Sequence, residues 1–336
     1  MPRQQKPKHT QTINPRDVRI FSGSSHPELA AGIAAYLGVP LEATHIKHFS
    51  NDNLYVQLGA SVRERTVYVV QSLTPPASDH LLELLMMLDI ARGAAARAVH
   101  AIIPYFSFAR SDKKDAPRIS ITARLIADLL ETAGATHVMT MTLHSPQAHG
   151  FFGVPTDPLT ARGLFVRHFQ RHFRKKDLRD TVVIAPDAGR AKSAGRFAEQ
   201  LGLPTVSAEK TRISDGEVRI SKLVGKQVKG FRRAIIYDDE IVTGGSIIAV
   251  SELLIKNGVE AICAVCTHGV FTGQSVERLS AIPQIKEIIT TDTVPIPQKK
   301  RAPQMKVLSV APIFGEAIRR NYFRQSIGDL FSFWDE

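Results

Sequence analysis

Two kinds of stretch alternate along the chain. Short apolar runs at 18–21, 67–71, 99–103, 138–141, 182–185, 205–208, 234–237, 261–266, 288–290 and 307–310 predict strands. Two more polar runs, 45–48 and 55–58, read as strands as well. Between them, apolar residues recur three and four apart and predict helices over 27–37, 79–92, 120–131, 165–173, 191–201, 246–257 and 314–320. Ser25 is the expected N-cap of the first helix, with Pro27 in its first turn. Gly134 and Gly258 stop two of the others, and Asp215-Gly216-Glu217 reads as a hairpin turn. Strand–helix alternation implies the α/β class, with mostly parallel sheets flanked by helices. Functional loops in such sheets lie beyond the strand C-termini.

Length and composition narrow this picture. At 336 residues the chain has room for two domains. The pattern restarts near 155–162, so we expect a basic, disordered arm over 1–15, an N-terminal domain over 16–157 and a C-terminal domain over 158–311. No apolar run approaches the roughly 18 residues of a membrane span, and the first residues lack the apolar core of a secretory leader. No membrane partner and a cytoplasmic location are expected. Cys263 and Cys266 stand three apart in an apolar run, on opposite faces of a strand, and read as buried thiols. The formal net charge of +11 collects in the arm, in 167–179 and in 298–306. None of these carries an aromatic stacking pattern or a DNA-reading motif, so nucleic acid is not expected as a partner. Phosphate-rich substrates would also suit such a charge.

The densest chemistry lies at RAIIYDDEIVTGGSIIAV, 233–250. A buried-type strand runs into Asp238 and Asp239, then Val242, Thr243, Gly244, Gly245 and Ser246, and then a helix. Free amides of a helix's first turn attract an anion, and the glycines allow close backbone approach. Carboxylates cannot bind phosphate but suit sugar hydroxyls or hydrated Mg²⁺. A sugar phosphate satisfies both halves; an ordinary acidic turn with a helix cap is the alternative. The loop 108–118, with Arg110, Ser111, Lys113 and Lys114, is either a solvated turn or a cationic lid over phosphates. His144 and Asp187 follow two strands and could share Mg²⁺. Lys210 and Arg212, two apart on extended chain at a strand end, could clamp one phosphate.

Taken in order, IFSGSSHPELA, FSN at 49–51, VYVVQS, LLELLMMLDIAR, ARSDKKD, LHSPQAHGFFGVP, PDAGRAK, EKTR, YDDEIVTGGS, THGVF and EAIRR resemble the ribose-phosphate pyrophosphokinases, from Val18 to about Phe331. The resemblance implies two phosphoribosyltransferase-like domains, with 312–336 packing back on the first, in a homo-oligomer built from dimers and up to a hexamer. It implies Mg²⁺-dependent transfer of the pyrophosphoryl group of ATP to the 1-hydroxyl of ribose 5-phosphate, giving AMP and 5-phosphoribosyl 1-pyrophosphate. By motif, Lys210, Arg212, Arg110 and Lys113 would be catalytic. Arg212, Asp238, Asp239, Val242, Thr243, Gly244, Gly245 and Ser246 would bind ribose 5-phosphate. Phe49, Asn51, Asp52, Asn53, Arg110 and Ser111 would bind ATP, and His144 and Asp187 the metal. The family usually carries acids at the positions of Asn53, Thr142 and Val242, and its lid is two residues longer. A silent regulatory subunit and a phosphoribosyltransferase are the competing readings.

Overall fold

The structure is a computed structural model that describes residues 12–173, 178–212, 218–224, 228 and 230–331, with 146, 210–212 and 218–224 described by backbone alone. Most of the arm, the basic residues 174–177 and the turn expected at 215–217 lie outside the described residues. Contacts divide the chain into two units, one of 1–140, 145–159 and 311–336, the other of 141–144 and 160–310.

In the first unit, β1 (Val18–Ser22), β2 (Leu41–Glu42), β5 (Thr66–Val70), β6 (Ala98–Ile103), β7 (His137–Met141) and β8 (Thr156–Leu159) form one sheet in the order β2-β1-β5-β6-β7-β8. The pairs β1–β2, β1–β5, β5–β6 and β6–β7 are parallel. Every residue of β5 and β7 is buried, as parallel strands covered on both faces require. Helices Pro27–Leu37, Ala77–Gly93, Thr122–Ala133 and Ala311–Tyr322 belong to this unit. The last packs on the first through glycine: a Cβ at Gly315 would lie 2.3 Å from the Tyr36 ring. Strands β3 (Thr44–His48) and β4 (Leu54–Leu58) form a separate antiparallel hairpin. The connection between them is too short for the crossover that parallel pairing needs.

In the second unit, β9 (Thr181–Ala185), β10 (Thr205–Arg212), β11 (Val218–Val224), β12 (Arg233–Ile241), β13 (Ala261–Gly269), β14 (Ile285–Thr291) and β15 (Met305–Leu308) form a sheet in the order β11-β10-β9-β12-β13-β14-β15. Only β11 runs antiparallel to its neighbour. Ile184, Val206, Ile236, Ile247, Leu254, Ile262 and Ile288 join the core on this sheet. Cys263 and Cys266 are free and buried.

Several local expectations are corrected. His26, not Ser25, caps the first helix: its Nδ1 accepts the Leu29 N–H at 3.3 Å. Ser25 is drawn inward instead, its hydroxyl donating to Gln71 Oε1 at 2.6 Å. The strand expected at 205–208 continues to Arg212, because β11 supplies a partner that its own sequence hides. The strand expected at 307–310 lies at Met305–Leu308. β8 and the helix Ser275–Ser280 are additional elements, too short for periodicity to reveal.

Candidate functional site

The loop after β12 is rigidly tied down. The Ile241 carbonyl accepts the N–H groups of Val270 and Phe271 at 3.0 and 3.1 Å, and the Val242 carbonyl accepts that of Thr272 at 2.9 Å. Gly244 caps the helix Gly245–Lys256 with φ 76°, a conformation that costs a side-chain-bearing residue about 1–2 kcal/mol. The first intrahelical bond runs from Ile248 N–H to the Gly244 carbonyl at 2.9 Å. The amides before it belong to the turn where the helix dipole favours an anion. Thr243 is exposed, while Val242, Gly245 and Ser246 are partly so.

Beside this loop the two acids are not equivalent. Asp239 is 5% exposed. Its Oδ2 lies 2.6 Å from Nδ1 of His144 and 3.2 Å from Nη1 of Arg190. Burial alone would raise its pKa, but the His144 hydrogen bond and the Arg190 charge outweigh burial and hold the carboxyl well below the usual range. Asp238 accepts the Asp239 N–H at 2.8 Å through Oδ1. Burial, reinforced by the charge on Asp239, pushes its carboxyl well up. The two neighbouring acids are therefore pushed in opposite directions.

Arg190 stands out as a residue that sequence reasoning quoted but gave no role. Asp187 Oδ1 accepts its backbone N–H at 3.1 Å, an Asx-type cap on the turn Ala188–Arg190. From that turn the guanidinium reaches Asp239 and donates to the His144 carbonyl. The i, i+3 spacing of Asp187 and Arg190 was the available signal. Among the described residues no hydrogen bond or ion pair joins His144 directly to Asp187, and no three His, Cys, Asp or Glu gather as a metal cluster.

His268, also without an assigned role, lies buried against the turn after β7. Its Nε2 is 3.2 Å from the Thr142 carbonyl and its Nδ1 is 2.9 Å from the Thr293 hydroxyl. Thr142 has φ 43°, and the Thr267 hydroxyl lies 3.3 Å from its own. A β-branched residue in left-handed backbone is strained and persists only where its surroundings hold it. Lys210 and Arg212 lie in the last three residues of β10, just after a register shift at Glu209; their side chains are outside the described residues.

The remaining predicted residues lie in the first unit. Phe49, at the tip of the β3–β4 hairpin, is 48% exposed and meets Tyr55 edge-on at 5.9 Å. Lys47 Nζ sits 5.1 Å from its ring centre and 4.8 Å from that of Tyr55. The hairpin closes through Phe49 N–H to the Asn53 carbonyl at 2.8 Å, with Asp52 at φ 65° and Asn51 Oδ1 accepting the Asn53 N–H at 3.3 Å. An exposed aromatic of this kind offers a face on which a planar ring can stack. Ser111 ties the two ends of the charged loop: the Ala123 N–H donates to its carbonyl at 3.1 Å, and its hydroxyl meets that of Thr122 at 3.2 Å. Arg110 and Lys113 are exposed on that loop.

A sequence model of the N-terminal domain of ribose phosphate pyrophosphokinase matches residues 18–134, and one of the phosphoribosyl synthetase-associated domain matches 219–332. A protein of Streptomyces coelicolor is 47% identical over 316 residues, which cover 94% of this chain and 98% of its own. The ribose-phosphate pyrophosphokinase of Deinococcus radiodurans is 43% identical, with 93% of this chain and 97% of its own covered. The crystal structure of phosphoribosylpyrophosphate synthetase from Mycobacterium smegmatis superimposes with a TM-score of 0.85 at 38% identity, covering 92% of this chain and 99% of that one.

Proposed function

Because the chain belongs to the ribose-phosphate pyrophosphokinase family, we propose that it transfers the pyrophosphoryl group of ATP to the 1-hydroxyl of ribose 5-phosphate, releasing AMP and 5-phosphoribosyl 1-pyrophosphate. One observation carries the sugar-phosphate half: an anion-attracting helix start, capped by Gly244, stands immediately after an acid pair on the same strand. Thr243, Gly244, Gly245 and Ser246 cradle the 5-phosphate, with Val242 at the wall of the loop. Asp238 and Asp239 face the ribose hydroxyls, and positioning of this kind removes much of the entropic barrier to transfer. In the first unit, Phe49 stacks the adenine, Asn51, Asp52 and Asn53 rim it, and Arg110, Ser111 and Lys113 attend the phosphates. Lys210 and Arg212 stabilise charge on the migrating group.

His144 and Asp187 suit Mg²⁺. With His144 Nδ1 facing Asp239, Nε2 is the ring's other ligand atom, and a single nitrogen beside a carboxylate leaves room for the waters that this ion retains. When bound, the ion would neutralise charge on the pyrophosphoryl oxygens. No described helix is long and apolar enough to cross a membrane. We take the cytoplasm as the enzyme's location and a homo-oligomer as its assembly, with neither membrane nor nucleic acid as partner.

The test is formation of AMP and 5-phosphoribosyl 1-pyrophosphate from ATP, Mg²⁺ and ribose 5-phosphate. Lys210→Ala serves as the control. Product that depends on ribose 5-phosphate and is lost in the control is the expected result. Absence of product with ATP, GTP and other nucleotides, while ribose 5-phosphate still binds, would refute it and favour a silent regulatory subunit.

A further inference from the structure

His144 is held at both ends. Its ring Nδ1 lies 2.6 Å from Asp239 Oδ2, and its backbone carbonyl accepts from Arg190 Nη2. The same guanidinium places Nη1 3.2 Å from Asp239 Oδ2, so one arginine grips both the histidine's main chain and the carboxylate on its ring. Arg190 is anchored in turn, its N–H capped by Asp187 Oδ1 at 3.1 Å. The Arg190 side chain is 13% exposed and that of Asp239 6%, whereas that of His144 is 33% exposed. Asp239 is thus buried and Arg190 largely covered, while the supported ring reaches solvent.

This arrangement has chemical consequences. A ring nitrogen that faces an ionised carboxylate carries the proton, so in the neutral imidazole Nε2 keeps its lone pair. The contacts at Nδ1 and at the main-chain carbonyl hold the ring's orientation before any ligand arrives. Arg190 links two acids and a loop: its backbone N–H is capped by Asp187 after β9, and its guanidinium meets Asp239 on β12 while also holding the turn after β7. A carboxylate that orients a ligating histidine raises metal affinity without touching the metal, and loss of such a partner typically costs about 10–100-fold.

We propose that Arg190 and Asp239 are positioning residues for His144, locking its ring in the Nδ1–H form so that Nε2 is the atom offered to a divalent cation. The inference rests on the reading of His144 as a metal ligand. It adds to Asp239 a task besides facing sugar hydroxyls, and it gives Arg190 its role.

The experiment uses the full chain, metal-free and labelled with ¹⁵N-histidine, and Mn²⁺ alone as the probe. Long-range proton–nitrogen correlation should show His144, identified by its loss in His144→Gln, with Nδ1 protonated and Nε2 bare. Arg190→Met and Asp239→Asn should mix or reverse that signature. Both should also weaken Mn²⁺ binding, read by electron paramagnetic resonance, by about 10–100-fold. Arg190→Lys, which keeps the charge but cannot bridge two acceptors in the same fork, should fall between and guards against a folding artefact. An unaltered tautomer signature and native Mn²⁺ affinity in both Arg190→Met and Asp239→Asn would overturn the proposal. Native Mn²⁺ affinity in His144→Gln would instead defeat the metal reading, and the tautomer readout would still decide whether Arg190 and Asp239 position the ring.

Discussion

Replacing Gly244 by alanine isolates the backbone geometry of the loop proposed to cradle the 5-phosphate. The residue has φ 76°, and a Cβ there would meet Leu279 at 3.4 Å, an ordinary van der Waals distance. Sterics against neighbours therefore contribute little. What remains is the left-handed backbone, worth about 1–2 kcal/mol for an L-residue. If the loop keeps its shape, the protein bears this strain, and a unit of this size should lose roughly 2–4 °C in Tm per kcal/mol. Ribose 5-phosphate affinity would then hardly change. If the loop relaxes, Tm is retained, but the first-turn amides leave the phosphate and affinity falls about tenfold for each 1.4 kcal/mol lost. The anchoring of Ile241 and Val242 by Val270, Phe271 and Thr272 favours the first response, because the entry to the loop cannot shift. Thermal unfolding with and without ribose 5-phosphate, joined to calorimetric titration of the sugar phosphate, separates the two. Unchanged Tm together with unchanged affinity would refute the account of this cap.

Three further outcomes follow from other parts of the chain. Glu83, 3% exposed, accepts Ser24 N–H at 2.9 Å, Ser24 Oγ at 2.7 Å and Gln71 Nε2 at 2.6 Å, so Glu83→Ala takes the acceptor from the buried Gln71 amide and from Ser24 at the surface. It should cost about 1–3 kcal/mol in urea unfolding, and a loss below about 0.5 kcal/mol would contradict the network. Gly315→Ala drives a methyl into the Tyr36 ring and should cost about 1–3 kcal/mol, less the roughly 1 kcal/mol gained in helix propensity. Adding Tyr36→Leu should recover that loss in a double-mutant cycle, whereas additive effects would count against the contact. His100 stacks on Tyr68 at 4.6 Å, and burial, aided by His137, pushes its pKa down from 6.5 to about 3. A base with a depressed pKa contributes stability that is full above pH 6.5 and lost as pH falls toward 3. The urea midpoint should drop with acidification through that window, less steeply in His100→Phe, and equal slopes in the two proteins would exclude His100 as the cause.

Local pattern determined a good deal of this protein. Apolar runs in β5, β7 and β9 are buried on both faces, so a short run of Val, Ile, Met or Tyr suffices to mark such a strand. Gly134 and Gly244 announce their helix ends because only glycine takes their backbone cheaply. The loop 238–246 was legible for the same reason: strand, acids, glycines and helix start are consecutive, so their order alone sets the amides of a helix start beside two carboxylates. Other features exist only through partners far along the chain. The extension of β10 needs β11, His26 rather than Ser25 caps its helix because Gln71 claims the serine, and Asp239 meets its histidine across 95 positions. The unequal acids 238 and 239 are the sharpest case. They are the same residue in the same motif, and burial together with Arg190 and His144 sets one low and the other high. Spacing carries propensity and periodicity, but solvation and charge pairing depend on which loops the sheet brings to one edge, and that is settled only when the chain is folded.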